Sequence, residues 1–160
     1  MILVTVGTQL PFDRLIQIMD ELAPTLGQPV FAQIGTSSYR PANVDYSETI
    51  DPRDFDQRFR SASVIVAHAG IGTVLTAQRH GKPIILFPRR AALGEHRNDH
   101  QLATCAQLKG RPGIYVANDK AELAALLDPG AGLESGPTDR AGVPGLSQLR
   151  IKLGDYIRSV

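Results

Sequence analysis

Val64-Ile-Val-Ala-His-Ala-Gly-Ile-Gly-Thr73 decides the fold. Its apolar, β-branched opening suits a strand buried on both faces. His68 and Ala69 follow, and then Gly70 and Gly72 permit a tight turn and a close backbone approach by a ligand. Val74 to His80 reads as a helix, with Gly81 where a C-terminal cap belongs. A strand that ends in glycines at a helix start leaves backbone N–H groups and the positive end of the helix dipole facing whatever docks there. The Thr73 hydroxyl can cap the helix or bond a phosphate oxygen. The same residues also serve an ordinary strand-to-helix turn. Two nucleotide motifs are excluded. Leu75 stands where a dinucleotide fingerprint needs its third glycine or alanine, and no Walker lysine follows.

Outward from this stretch, apolar runs alternate with helical periods. Ile2 to Val6, Pro29 to Ile34, Val44 to Ile50, Pro83 to Phe87 and Gly113 to Val116 read as further strands. Helices are predicted over Phe12 to Leu22, Asp51 to Ala62 (Asp51 capping and Pro52 at the first position), Glu95 to Leu108 and Asp119 to Leu127. Residues 129–145 are rich in Gly and Pro and read as loop. Residues 146–160 carry apolar residues at helical spacing and read as a final amphipathic helix. Alternating strands and helices with fully apolar strands predict an α/β domain, a parallel sheet covered on both faces. Ligands in such sheets bind beyond the carboxyl ends of the strands. That rule gathers Gly7-Thr8-Gln9, Gly35-Thr36, His68 to Thr73 and Pro88 to His100 along one edge, as a binding cleft.

The 160 residues fit one domain, with residues 1–127 as its core. A net charge of +1 gives no electrostatic footprint for nucleic acid. One cysteine, Cys105, allows no intrachain disulfide; it sits among apolar residues and reads as core in a reducing compartment. No apolar run reaches the roughly 18 residues of a membrane span. Met1 leads straight into a strand, so no signal peptide is expected.

Within the cleft, Gly7-Thr8-Gln9 and His68 to Thr73 are expected to form two walls of a diphosphate pocket, against the plainer reading of two connecting turns. His68 either bonds a ligand or orients a loop. Arg89-Arg90 and Glu95 to Gln101 make a polar second half. On a helix, His96 and His100 would share a face as zinc ligands can, but Arg97 stands where the metalloprotease pattern needs glutamate, so no metal is expected. Glu95 is a candidate for a ribose hydroxyl or a helix cap. Asn98 and Gln101 offer the donor and acceptor pairs that grip sugar hydroxyls, and a solvated helix face is the alternative. No Ser-His-Asp or Cys-His set suggests a nucleophile.

Taken together, Ile2-Leu-Val-Thr-Val-Gly-Thr-Gln9, Phe12-Asp-Arg-Leu15, His68-Ala-Gly-Ile-Gly-Thr73, Gly81-Lys-Pro83, Pro88-Arg89 and Glu95-His-x-Asn-x-His-Gln101 resemble one known group over about the first 127 residues. It is the C-terminal, nucleotide-sugar-binding domain of family 28 glycosyltransferases. More closely, the chain is similar to the small subunits of split enzymes in dolichol-linked oligosaccharide and bacterial exopolysaccharide or capsule assembly. The resemblance implies a Rossmann-like half of a GT-B enzyme that binds a UDP-sugar as substrate, without a cofactor or metal. It implies a membrane-anchored partner subunit that presents a lipid-linked glycan acceptor, and a place at the cytoplasmic face of the membrane through that partner. The last helix, residues 146–160, is the candidate docking element. By the family motifs Gly7, Thr8, His68, Gly70, Gly72, Thr73 and Arg89 would face the donor, with Glu95, Asn98 and Gln101 toward ribose or sugar. The partner is expected to supply the general base, with His96 as the fallback. A binding module that only stimulates a separate transferase is the alternative. An epimerase is not, since none of Tyr39, Tyr46, Tyr115 or Tyr156 has lysine four residues on.

Overall fold

The computed structural model describes residues 1–136. Six parallel strands form one sheet: β1 (Ile2–Thr5), β2 (Val30–Gln33), β3 (Asp45–Ser47), β4 (Val64–Ala67), β5 (Ile84–Leu86) and β6 (Ile114–Val116). Their order is β3-β2-β1-β4-β5-β6. Among the described residues, five α-helices accompany them: α1 (Asp13–Leu22), α2 (Pro52–Ser61), α3 (Ile71–Arg79), α4 (His100–Leu108) and α5 (Lys120–Leu127).

Side chains alternate along each strand, so the central strands feed two cores. Ile2, Val4, Val66 and Ile85 pack with Leu15, Ile16 and Met19 of α1 and Leu123 and Leu127 of α5. Leu3, Ile65, Ile84 and Leu86 pack with Phe59 of α2, Val74 and Ala77 of α3 and Cys105 and Leu108 of α4. β1 pairs with β4 in register, Leu3 opposite Ile65 and Val4 opposite Val66. All four of these are fully buried. Each fully buried aliphatic side chain contributes about 1.5–3 kcal/mol, so the paired β1 and β4 fix the rest of the sheet. Cys105 is buried and its thiol is pushed up to about 12 by that burial, as fits a core residue.

Helix ends follow local chemistry. Asp51 accepts from the Arg53 N–H at 2.9 Å, with Pro52 opening α2. Asp119 accepts from the Glu122 N–H, while Glu122 accepts from the Asn118 N–H. The sequence reading departs from the structure in three places. α3 begins at Ile71 rather than Val74, because Gly72 and Thr73 already take helical geometry. Residues 95–99 are bends, not helix, and α4 starts only at His100. His96 and His100 therefore do not share a helix face. A short 3₁₀ turn, Pro129–Ala131, opens the segment expected as loop. The remainder of that loop from residue 137, and the predicted helix at 146–160, lie outside the described residues.

Candidate functional site

β1 and β4 are neighbours, but the chain leaves them in opposite directions, to β2 on one side and β5 on the other. Such a switch point opens a crevice at the carboxyl ends of the strands. A cleft of about 720 Å³ lies there. Gly7, Thr8, His68, Gly70, Gly72 and Thr73 line it, as do Arg89, His96 and Gln101. Glu95 and Asn98 do not. Gly35 and Thr36 do not line it either, although the edge rule gathered them there: Gly35 packs beneath Gly7, where a Cβ would come within 2.8 Å of the Gly7 carbonyl.

The two glycines of the β4–α3 turn do different work. A Cβ on Gly70 would run into the His68 imidazole, and one on Gly7 would stand 2.9 Å from its Cε1. The imidazole is thus wedged between the two loops. A Cβ on Gly72 would meet nothing within 4 Å, so this position leaves open space over the cleft. Gly70 caps α3 with no side-chain bond. Its own N–H bonds the His68 carbonyl at 2.7 Å, and the Val74 N–H returns to Gly70. The N–H groups of Ile71, Gly72 and Thr73 have no acceptor among the described residues. First-turn amides have no intrahelical partner, so these three await one.

Charge on the cleft floor comes from Arg89. The side chain is buried and donates through Nη2 to the carbonyls of Val6 and Leu10, both at 2.7 Å, so it ties down the β1 exit. Its Nε is buried without a partner among the described residues. Burial lowers its pKa and Glu95 opposes that; a guanidinium keeps its charge regardless. Gln101 accepts through Oε1 from the N–H groups of Ala69 and Arg89, at 3.3 and 2.9 Å, and so staples the exits of β4 and β5 together. No carboxylate lines the cleft among the described residues. The lining therefore suits an anion.

Both histidines of the cleft are pushed toward the neutral form. His68 is lowered to about 4, by burial first, then by Arg89; its Nδ1 lies 3.5 Å from the Thr5 carbonyl. His96 is lowered by burial first, then by Arg89, Arg97 and His100, and its Nδ1 is buried without a partner among the described residues. Glu95 faces Arg14 and accepts from it twice at 2.8 Å. Sequence reasoning missed the far wall, formed by Gln33, Thr49, Ile50, Pro52 and Phe55. The carboxyl-edge rule would have found Thr49 to Pro52 had it been applied to β3. Gln33 gave no such signal, because it is an inward residue of β2 whose amide holds Thr5, Val6, Gly7 and Glu48.

The glycosyltransferase family 28 C-terminal domain matches residues 1–126. No curated protein matches the chain. The solution structure of ALG13 is similar with a TM-score of 0.61 at 14% identity, covering 92% of this chain and 93% of that one. The crystal structure of the kitacinnamycin glycotransferase has a TM-score of 0.60 at 19% identity, covering 98% and 40%. That of Streptomyces sp. SF2575 glycosyltransferase SsfS6, complexed with thymidine diphosphate, has 0.57 at 22%, covering 82% and 33%. The chain thus spans about two fifths of one of these transferases and a third of the other. At these identities the likeness is one of fold: a Rossmann-like sheet, as in the C-terminal domain of GT-B glycosyltransferases.

Proposed function

We propose, for a chain that belongs to the glycosyltransferase family 28 C-terminal domain, that it is the UDP-sugar-binding subunit of a two-component transferase. One observation carries this reading. Three N–H groups without acceptors among the described residues open α3 directly beside the Gly7–Gln9 loop and the buried Arg89. A diphosphate satisfies all three and meets the helix dipole.

In this reading the acceptor hydroxyl attacks the anomeric carbon of a hexose or N-acetylhexosamine, from the side opposite the diphosphate, and the configuration inverts. The bond from the anomeric carbon to the diphosphate oxygen breaks, and its electron pair stays on UDP. Donors fixed in place before reaction stabilise that growing charge at no cost of reorganisation. Here those donors are the Ile71, Gly72 and Thr73 amides with Arg89 beneath, and they do the neutralising that a metal does elsewhere. The hydroxyl proton goes to a base. A membrane-anchored partner supplies it in this reading; His96, its pKa lowered and its side chain on the cleft, is the candidate within this chain. The partner also presents a lipid-linked glycan at the membrane, as in polysaccharide or oligosaccharide assembly, and this subunit alone turns over little or no donor. No helix among the described residues is long and apolar enough to cross a membrane, and a partner supplies the attachment in this proposal.

Calorimetric titration of UDP into the chain tests the site, with Gly72→Val as the variant. A side chain there enters open space, in a helical geometry that valine tolerates better than glycine. The fold should persist while UDP affinity falls on the order of a hundredfold, about 2.7 kcal/mol. UDP binding indifferent to this change would sink the proposal. Transfer activity that needs the partner yet ignores Gly72→Val would mark a stimulatory module instead.

A further inference from the structure

Glu95 sits one residue from His96, yet the two side chains have different neighbours. Glu95 meets Arg14 of α1 through a two-pronged pair, Nε to Oε2 and Nη2 to Oε1, both at 2.8 Å. Arg14 also donates to the Pro88 carbonyl at 3.2 Å, and its guanidinium lies 4.6 Å from the Phe87 ring centroid. Glu95 Oε1 takes a further bond from the Arg90 N–H at 3.0 Å. A sugar hydroxyl reaching this carboxylate would compete with a largely buried, bidentate pair. Meanwhile residues 94–99 belong to no helix or strand. Within the segment and its edge, the His100 N–H donates to Asn98 and the Ala91 N–H donates to Asp99; among the described residues, the hydrogen bonds that reach residues 91–98 from beyond residues 90–100 all come from Arg14. His96 on this segment lines the cleft.

We infer that Arg14 is a positioning residue, which acts through Glu95 to hold the β5–α4 segment so that His96 faces the cleft. Glu95 is then an anchor and not a donor ligand. The geometric part stands on the contacts above. Its consequence for sugar transfer rests on the proposed function.

NMR titration of the His96 imidazole reads the geometry without any ligand. In the parent chain His96 titrates below 6.5, held down by its burial and by Arg89, Arg97 and His100. Neither Arg14 nor Glu95 is among those causes, so a change on their removal reports displacement of the segment. Arg14→Ala and Glu95→Ala should each move His96 toward 6.5, and the double variant should go no further. Amide exchange across residues 90–98 should quicken about tenfold in each. Arg14→Lys, which lacks the fork, should fall between parent and alanine; with Glu95→Gln it carries the test if an alanine variant does not fold. A second arm titrates UDP. Affinity should stay within about twofold in Arg14→Ala and Glu95→Ala alike, because the α3 turn is untouched.

An unmoved His96 titration in both alanine variants would overturn the inference. So would loss of UDP affinity in Glu95→Ala but not in Arg14→Ala, which is the signature of a direct ligand. Absence of UDP binding to the parent would count against the proposed function, and the His96 titration would still decide this inference alone.

Discussion

Two exits from the sheet look alike as sequence and behave differently as structure. Gly35-Thr-Ser-Ser38 leaves β2, and Gly70-Ile-Gly-Thr73 leaves β4; both are small, polar and glycine-led. The first turns its polar groups inward. Ser37 Oγ accepts from the Phe12 N–H, and Asp13 Oδ1 accepts from the N–H groups of Ser38 and Tyr39. Beyond it, Asp20 accepts from the N–H groups of Ala42 and Asn43 and from the Tyr39 hydroxyl. The second exit leaves the amides of Ile71, Gly72 and Thr73 over a cleft, without acceptors among the described residues. What separates a connection from a binding site is therefore not polarity or glycine content. It is how far neighbouring groups, backbone carbonyls for Gly35 and Ser37 and a side chain for Ser38, have already claimed the donors.

The largest effect should come from the closed exit. Asp20 is buried, which opposes its charge, yet the Asn43 amide, the Tyr39 hydroxyl and the Ala42 amide outweigh that and hold its pKa below the usual value. Asp20→Ala strands several donors and should cost about 3 kcal/mol, roughly 8 °C in Tm by calorimetry, with UDP affinity unchanged. Gly72→Val should do the reverse: a hundredfold loss of UDP affinity on the order of 2.7 kcal/mol, with Tm kept. If both variants lost both properties, the contrast between the exits would be broken.

Acid should act next. Folding holds His68 near 4, whereas an unfolded chain takes up that proton near 6.5. Its contribution is complete above 6.5 and is lost as pH falls toward 4. The loss should be about 2 kcal/mol at pH 5. Urea unfolding at pH 7 and pH 5 measures it. His68→Gln should flatten the slope, and a slope unchanged in that variant would remove His68 as its source. The smallest effect should be Ser37→Ala, about 1 kcal/mol for the stranded Phe12 amide. It sharpens the comparison if the variant binds UDP like the parent.

The sheet was legible in the sequence because its signal is local. Unbroken apolar runs at Ile2, Val64 and Pro83 admit little but buried strands, and Gly81 does take a left-handed φ of 63° just past α3. The walls at Gly7, Gly70 and Gly72 followed from the edge rule. Two features were not legible. Glu95 to Asp99 carries a plausible helical period, but Asp99 caps Ala91 from the side and Glu95 is drawn off by Arg14, 81 positions earlier, so the helix waits until His100. Pairings at such separation leave no periodic trace. The β3 edge gave a weak signal, because an exposed three-residue strand has almost no apolar pattern.

Cys105 has a practical corollary. The chain holds a single thiol, shut inside the core and poorly ionised at neutral pH. Maleimide needs an accessible thiolate, so the folded protein is already blank to it. A cysteine introduced at Thr8, on the lip of the cleft, would accept one fluorophore at one address, and its emission would report in real time what enters and leaves.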